Sequence, residues 1–283
     1  MHMTHVTNQG GLAVVTGAAH GLGAAAALAW ASRGLDPVLI DLDPDALDAT
    51  ATRIREACPE RQVQTRVCDV ADGAALCAVA DELAATAPVA VLMNNAGMAR
   101  PSKSWEEPEA WAQILAVNLM GVLNGQMAFV PHMVRAARPA MVINTGSKQG
   151  ITMPPGNPAY NVSKAGVKAM TEALAHDLRS AEVPVTAHLF VPGFVYSNMI
   201  ARFVPEKPAS AWTPEQTVDY LLSRLEAGDF YVLCPDNDVT PERDKARVAW
   251  AMGDMLKNRP ALSRWHPDWA DAFAAHERNA QDS

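Results

Sequence analysis

Along the chain, short aliphatic and β-branched runs alternate with longer Ala-rich stretches of helical character. The short runs predict seven strands, at Leu12–Thr16, Pro37–Asp41, Gln64–Cys68, Val89–Met93, Ala140–Thr145, Pro184–Val191 and Phe230–Cys234. Helices are predicted between them, at Leu22–Arg33, Asp43–Ala57, Ala71–Ala87, Glu107–Ala136, Ala159–Ala181 and Pro214–Gly228. Strands joined by such crossovers give an α/β fold: a doubly wound, seven-stranded parallel sheet, Rossmann-like, with helices on both faces. No linker, repeat or low-complexity run divides the chain before the last strand, so a single domain over residues 1–283 is expected. Two segments stand outside the alternation: 194–213, without periodicity, and a C-terminal extension, 235–283, rich in Pro, Trp and charge.

Composition narrows the partners. The 283 residues are 49% apolar and 19% charged, and 31 acidic against 23 basic residues leave a net charge of −8. That balance opposes binding to nucleic acid or to an anionic membrane surface. Cys58, Cys68, Cys77 and Cys234 form no C-x-x-C pair, so they read as buried thiols in a reducing compartment. The eight histidines show no ligand spacing, so no metal is predicted, and His2 and His5 are assigned to a disordered terminus. Residues 1–32 carry no Asp, Glu, Lys or Arg, but glycines from Gly10 to Gly23 break the run, and no basic segment precedes it. Neither a signal peptide nor a membrane span is read there or elsewhere, and the expectation is a soluble, cytoplasmic protein. Asn161-Val162-Ser163 matches a glycosylation acceptor but falls inside a predicted helix and is set aside.

Directly after the first strand, Thr16-Gly17-Ala18-Ala19-His20-Gly21-Leu22-Gly23 spaces its glycines G-x-x-x-G-x-G ahead of an Ala-rich helix. Glycines there let the backbone approach a pyrophosphate, and the free N–H groups at the helix start favour its charge. Asp41, 18 residues past Gly23 at the end of the second strand, stands where a ribose-binding acid belongs. A carboxylate accepts from ribose hydroxyls and repels a 2′-phosphate, which predicts NAD rather than NADP. A helix cap is the other reading of Asp41, although Asp43 already suits that role.

A second constellation lies mid-chain: Ser147 at a strand end, then Tyr160 and Lys164 four apart and so on one helix face. An ammonium beside a phenol favours the phenolate, which predicts a lowered Tyr160 pKa and a general acid/base pair. Ser147 is placed to hydrogen-bond the reacting oxygen.

In this order the features resemble the short-chain dehydrogenase/reductase family in its single-domain branch. The matches are Thr16-Gly17-x-x-x-Gly21-x-Gly23, Asp69-Val70, Asn94-Asn95-Ala96-Gly97, Asn118, Ser147, Tyr160-x-x-x-Lys164 and Pro192-Gly193-Phe194-Val195-Tyr196-Ser197. The resemblance implies an oxidoreductase that interconverts a secondary alcohol and a ketone by direct hydride transfer, with NAD as cofactor. It places Gly17, His20, Gly21, Leu22 and Gly23 at the dinucleotide, Asp69 and Val70 at the adenine, and Asn94, Asn95, Ala96 and Gly97 near the adenosine ribose. Pro192, Gly193, Val195 and Ser197 would hold the nicotinamide carboxamide, and Lys164 its ribose. Asn118 would position a water in a proton relay. It also implies a homodimer or homotetramer, with the long helices near Asn118 and Tyr160 at the interface.

Gly146 stands where many members have Ser, Ser197 where Thr is commoner, and His20 where NADP-preferring members often have Arg. Lys148 and Gln149 are polar where small or apolar residues are usual, which leaves substrate contact and surface exposure both open. Met153, Pro154, Met199, Ile200 and Phe203 would make a mostly apolar pocket with 194–213 as the substrate loop, suited to a medium-sized hydrophobic or aromatic alcohol or ketone, while for Trp212 a place in that pocket and packing of the loop both stay open. Trp250, Trp265 and Trp269 are read as packing the tail onto the body. Two rivals remain, a catalytically silent NAD(H)-sensing regulator and a dehalogenase-type lyase. Relatives of those kinds lose parts of the glycine loop or of the Tyr–Lys pair, both of which this chain keeps.

Overall fold

The computed structural model describes residues 3–197, 201 and 204–281. The predicted strands are present as β1 (Leu12–Thr16), β2 (Asp36–Asp41), β3 (Gln64–Val67), β4 (Val89–Asn94), β5 (Ala140–Thr145), β6 (Val185–Val191) and β7 (Tyr231–Leu233). They pair in parallel in the order β3-β2-β1-β4-β5-β6-β7. Every residue of β1, β4 and β5 is buried, because crossover helices cover both faces and leave the central strands no side for water. The strand order reverses at β1, so the carboxyl ends of β1 and β4 open a crevice between them.

The helices are α1 (Met3–Thr7), α2 (Gly21–Ala31), α3 (Pro44–Ala57), α4 (Gly73–Ala84), α5 (Pro108–Leu115), α6 (Gly121–Arg135), α7 (Gln149–Thr152), α8 (Pro158–Ser180), α9 (Pro214–Glu226), α10 (Pro241–Leu256) and α11 (Ala270–Gln281). Side-chain caps fix several starts: Asp43 accepts from Ala46 N, Asp72 from Ala75 N, and Thr213 forms a reciprocal capping box with Gln216. One core, on one face of the sheet, centres on Trp30 with α2 and α9; a second, on α4 and α6, centres on Phe129. Truncating Trp30, which is fully buried, to Ala would cost about 3–5 kcal/mol.

Four expectations are corrected. His5 does not lie in a disordered terminus: it is part of α1, which buries Met3 and Val6 and whose Thr4 N–H donates to the Glu226 carboxylate of α9, while His2 lies outside the described residues. Cys77 is exposed on α4, whose sheet-facing side is filled by Leu76, Ala80 and Leu83; the other three thiols are buried. Pro108–Arg135 forms one helical stretch of 28 residues with an 18-residue window of mean hydropathy 1.4, so a segment of spanning length does exist. Part of that apolar surface is occupied within the fold, where Ile114, Val122, Phe129 and Met133 are buried. Within it, Ala116–Met120 is a π-turn that joins α5 to α6. The fourth concerns the pKa of Tyr160 and belongs to the site.

The C-terminal extension is ordered around Trp250. The Arg259 guanidinium stacks 3.8 Å from the Trp250 ring, Trp269 and Phe273 meet that ring edge-on, and its Nε1 donates to Ser263 Oγ at 2.8 Å. Trp250 and Trp269 thus pack on one another, while Trp265 is 38% exposed.

Candidate active site

The glycine loop turns from β1 into α2 with Gly17 at φ +65°, a conformation that costs glycine little. A Cβ on Gly17 would lie 2.7 Å from Ala96 Cα, and one on Gly23 only 2.0 Å from Gly17 O, so loop, helix and β4 end close on one another as bare backbone. Asn95 locks that approach: its Nδ2 donates to Thr16 O at 3.1 Å, and its own N–H donates to Thr16 Oγ1 at 3.0 Å. The first turn of α2 has no acidic residue, and His20 provides no side-chain cap. Uncapped amides at a helix start suit a pyrophosphate. Alongside, His20, Gly21, Tyr196 and Ser197 border a cavity of about 380 Å³.

Asp41 ends β2 with its carboxylate at the loop, where Oδ2 accepts from Ala19 N at 3.0 Å and Oδ1 from Leu42 N at 2.7 Å. Capping of α3 falls to Asp43, so each Asp41 oxygen keeps a lone pair for a hydroxyl. His20 lies 3.7 Å from Asp43 in an exposed pair. Asp69 accepts from Ala71 N, and the side chain of Val70 fits against Gly121, where an added Cβ would meet it at 2.6 Å. The Asn94 side chain is buried. Its Nδ2 donates to Asn144 Oδ1, whose Nδ2 donates in turn to Thr171 Oγ1, a buried amide chain that joins β4, β5 and α8.

The four expected catalytic side chains converge beyond β4 and β5. Asn118 sits in the π-turn, fully buried; it accepts from Met98 N at 2.8 Å and donates to Met98 O at 2.9 Å. Gly97 lies beside it, with space for a Cβ only 3.5 Å from Asn118 Oδ1 and 3.6 Å from Lys164 Nζ. A π-turn of this kind commonly marks a functional site. Helix α8 starts at Asn157, which caps Tyr160 N and is held by Ser102 Oγ at 2.8 Å. The Asn157-Pro158 pair, a capping residue followed by proline at the first helical position, is the signal in the sequence for this start.

Lys164 Nζ donates to Thr145 O at 2.8 Å and stands 5.8 Å from the centre of the Tyr160 ring. Burial pulls the Lys164 pKa down to about 8. Tyr160 departs from expectation, because its pKa is raised rather than lowered: burial outweighs the hydrogen bond from Ser147, which lowers it. The Lys164 ammonium is aimed at a carbonyl, so it does not offset the desolvation of the phenol.

On the substrate side, the Pro192–Ser197 turn follows β6, and Gly193 packs on Pro235, whose carbonyl would be 2.5 Å from an added Cβ. Val195 pairs with Trp212, whose Nε1 donates to Asn237 Oδ1 and whose ring meets Tyr220 edge-on. Gln149 is exposed, Met153 adopts a left-handed conformation at φ +51°, and Met199, Ile200 and Phe203 lie outside the described residues. Lys148 turns to the C-terminal extension, with Nζ 2.6 Å from Asp244 Oδ2 and 3.6 Å from Asp236 Oδ2. Nothing in the sequence flagged those two aspartates.

The family model for short chain dehydrogenases matches residues 11–208. A galactitol 2-dehydrogenase (L-tagatose-forming) of Cereibacter sphaeroides is 36% identical over 202 residues, 70% of this chain and 76% of that one. A short-chain dehydrogenase/reductase of Burkholderia phymatum, solved in complex with NAD, superposes with a TM-score of 0.65 at 30% identity, covering 94% of this chain and 92% of its own. A short-chain dehydrogenase of Sphingobium yanoikuyae, solved with NADPH, gives 0.74 at 25% identity over 87% and 94%. The neighbours hold NAD in one case and NADPH in the other, which supports a nicotinamide dinucleotide as the cofactor class. With the glycine loop, the Ser–Tyr–Lys group and these matches together, the chain belongs to the short-chain dehydrogenase/reductase family of oxidoreductases.

Proposed function

We propose that the protein is an NAD-preferring dehydrogenase that interconverts a secondary alcohol and a ketone, with Tyr160 as the proton carrier. The observation that carries this reading is the convergence of Ser147, Tyr160 and Lys164 next to Asn118 and Gly97. When bound, the dinucleotide supplies the hydride acceptor for the alcohol carbon. The chain's own work is binding, orientation and proton handling. The uncapped amides of α2 and Gly21 hold the pyrophosphate, and Asp41 accepts from the adenosine ribose. Ser147 has one hydroxyl hydrogen to give: it donates to the Tyr160 oxygen in the free site and to the alcohol oxygen once substrate is in place, favouring the anionic form of the oxygen it serves. Tyr160 removes the hydroxyl proton in oxidation and returns it in reduction, and Lys164 passes it onward through a water that Asn118 positions. The galactitol dehydrogenase, whose name states oxidation at a secondary hydroxyl, supports the reaction class. We read the substrate as a neutral, hydrophobic or aromatic alcohol, since Lys148 is already matched by two carboxylates.

A panel of secondary alcohols assayed with NAD⁺ and with NADP⁺, following reduced nicotinamide, tests the reading. The expected outcome is turnover with at least one alcohol and a higher kcat/KM with NAD⁺. Higher kcat/KM with NADP⁺ would refute the Asp41 assignment, and tight NADH binding without turnover would favour a sensing role.

A further inference from the structure

Lys148 occupies a junction beside the proton-handling group. It follows Ser147 directly, and its side chain is 20% exposed, against 6% for Asp236 and 5% for Asp244. The three residues come from three places: the end of β5, the turn after β7, and the first turns of α10. Asp236 reaches further, since its Oδ2 also accepts from Phe194 N at 3.1 Å, inside the Pro192–Ser197 turn, and its Oδ1 accepts from Val239 N at 2.9 Å. On the other side of Lys148, Gly150 presses onto α8, where an added Cβ would lie 2.4 Å from the carbonyl carbon of Lys164. One cation thus joins the Ser147 segment, the turn expected at the nicotinamide, and the C-terminal extension.

A buried ion pair of this kind adds little net stability, because desolvating the charges offsets their attraction. What it does well is fix register: an ammonium between two carboxylates tolerates few arrangements of the backbones that carry them. We propose that Lys148 is a positioning residue, and that its pairing with Asp236 and Asp244 makes the C-terminal extension set the placement of Ser147 relative to the Pro192–Ser197 turn. The proposal rests on the dehydrogenase reading for its catalytic consequence, while the latch itself is measurable without turnover.

The test uses the full chain in three forms: Lys148→Met, the milder Asp244→Asn, which keeps side-chain size, and the charge exchange Lys148→Asp with Asp244→Lys. Amide hydrogen exchange reads the latch. In both single variants the amides of 149–153 and 194–197 should exchange about 10-fold faster or more, with β1 to β5 unchanged. On the favoured alcohol, kcat should fall about 10-fold or more while KM for NAD⁺ moves less than about threefold, a split that general destabilisation does not produce. The charge exchange restores the pair with position 244 but turns a carboxylate towards Asp236, so it should recover part of both losses. Exchange within about twofold of the wild type in either segment overturns the proposal. If Lys148→Met does not fold, Asp244→Asn and the charge exchange decide alone, and a folded charge exchange as deficient as Asp244→Asn also overturns it. Should the wild type turn over no alcohol while the exchange changes appear as expected, the dehydrogenase reading fails and the latch stands.

Discussion

The half of the sheet from β1 to β5 and the region beyond β6 are held by different physics. In the first, backbone meets backbone: Gly17, Gly23 and Ala96 approach too closely for side chains, and Asn95 seals the contact through Thr16. In the second, side chains bridge segments far apart in sequence, with Lys148, Asp236, Asn237 and Asp244 joining β5, the 194–213 segment and α10. The first arrangement leaves a local signature, because each glycine is needed at one place in a short string. The second leaves none, since any acid on any neighbouring turn would satisfy the same lysine. A family can therefore keep a dinucleotide crevice constant and exchange the substrate side freely.

The largest effect expected lies on the constant side. Tyr160→Phe keeps the ring and removes the proton-carrying oxygen, so alcohol oxidation should fall about 10²- to 10⁴-fold. NADH binding, followed by fluorescence titration, should change little, because the phenyl ring still fills its place on α8. Retained turnover in this variant would dissolve the distinction between a chemical half and a positioning half.

Next in size is Ser147→Ala, which removes the one hydrogen bond that lowers the Tyr160 pKa against its burial. The sign follows directly. Ser147 stabilises the phenolate, so its loss raises the Tyr160 pKa further, and the rising limb of kcat/KM against pH for alcohol oxidation should move to higher pH. At neutral pH the rate should also fall about 10²- to 10³-fold, the usual cost of a donor aimed at a reacting oxygen. A pH profile with an unmoved midpoint would show that Ser147 does not govern the phenol.

Smaller, and confined to the β2 edge, is the effect of Asp41→Ala. With a 2′-phosphate at about 4 Å, the carboxylate would repel it by roughly 1 to 4 kcal/mol, so its removal should raise the NADP⁺-to-NAD⁺ ratio of kcat/KM about 5-fold or more. Steady-state assays with both coenzymes measure it, and an unchanged ratio would move coenzyme choice elsewhere.

The placement of Asp41, Tyr160 and Lys164 was legible because their neighbours in sequence are also their neighbours in space. Asp41 ends a strand a fixed distance past the glycines, and Tyr160 and Lys164 share a helix face. The strands were legible for the same reason, and no strand end moved by more than one residue. The electrostatics were not. The sequence puts Lys164 one turn from Tyr160 but does not reveal that Thr145 O takes its ammonium, or that burial then controls both pKa values. Nor does it reveal that Asn94 is spent on Asn144, since both amides sit at strand ends and only the β4–β5 register brings them opposite. The short helix α1 escaped because five residues with two apolar side chains carry no periodic signal.

The smallest effect tests whether the extension has its own packing centre, apart from the Lys148 latch at its start. Arg259 lies over Trp250, donates to Asp254 Oδ1 at 2.8 Å and to Trp250 O, and its side chain is 6% exposed. Lysine keeps the charge but loses the planar stacking and the forked donors. Arg259→Lys should therefore cost about 1–2 kcal/mol of stability, which for a chain of this size corresponds to roughly 2–6 °C in Tm. Asp254 keeps Ser263 N–H and Oγ as donors, so the damage stays within the turn that follows α10. Asp244, at the other end of that helix, keeps Lys148, and KM for NAD⁺ should stay within about twofold of the wild type. Thermal melts with and without NADH separate the two ends of α10: an equal Tm loss in both confines the effect to the packing centre. A loss that grows when NADH is present would mean that Trp250 and the cofactor crevice move together, and the two regions would then act as one.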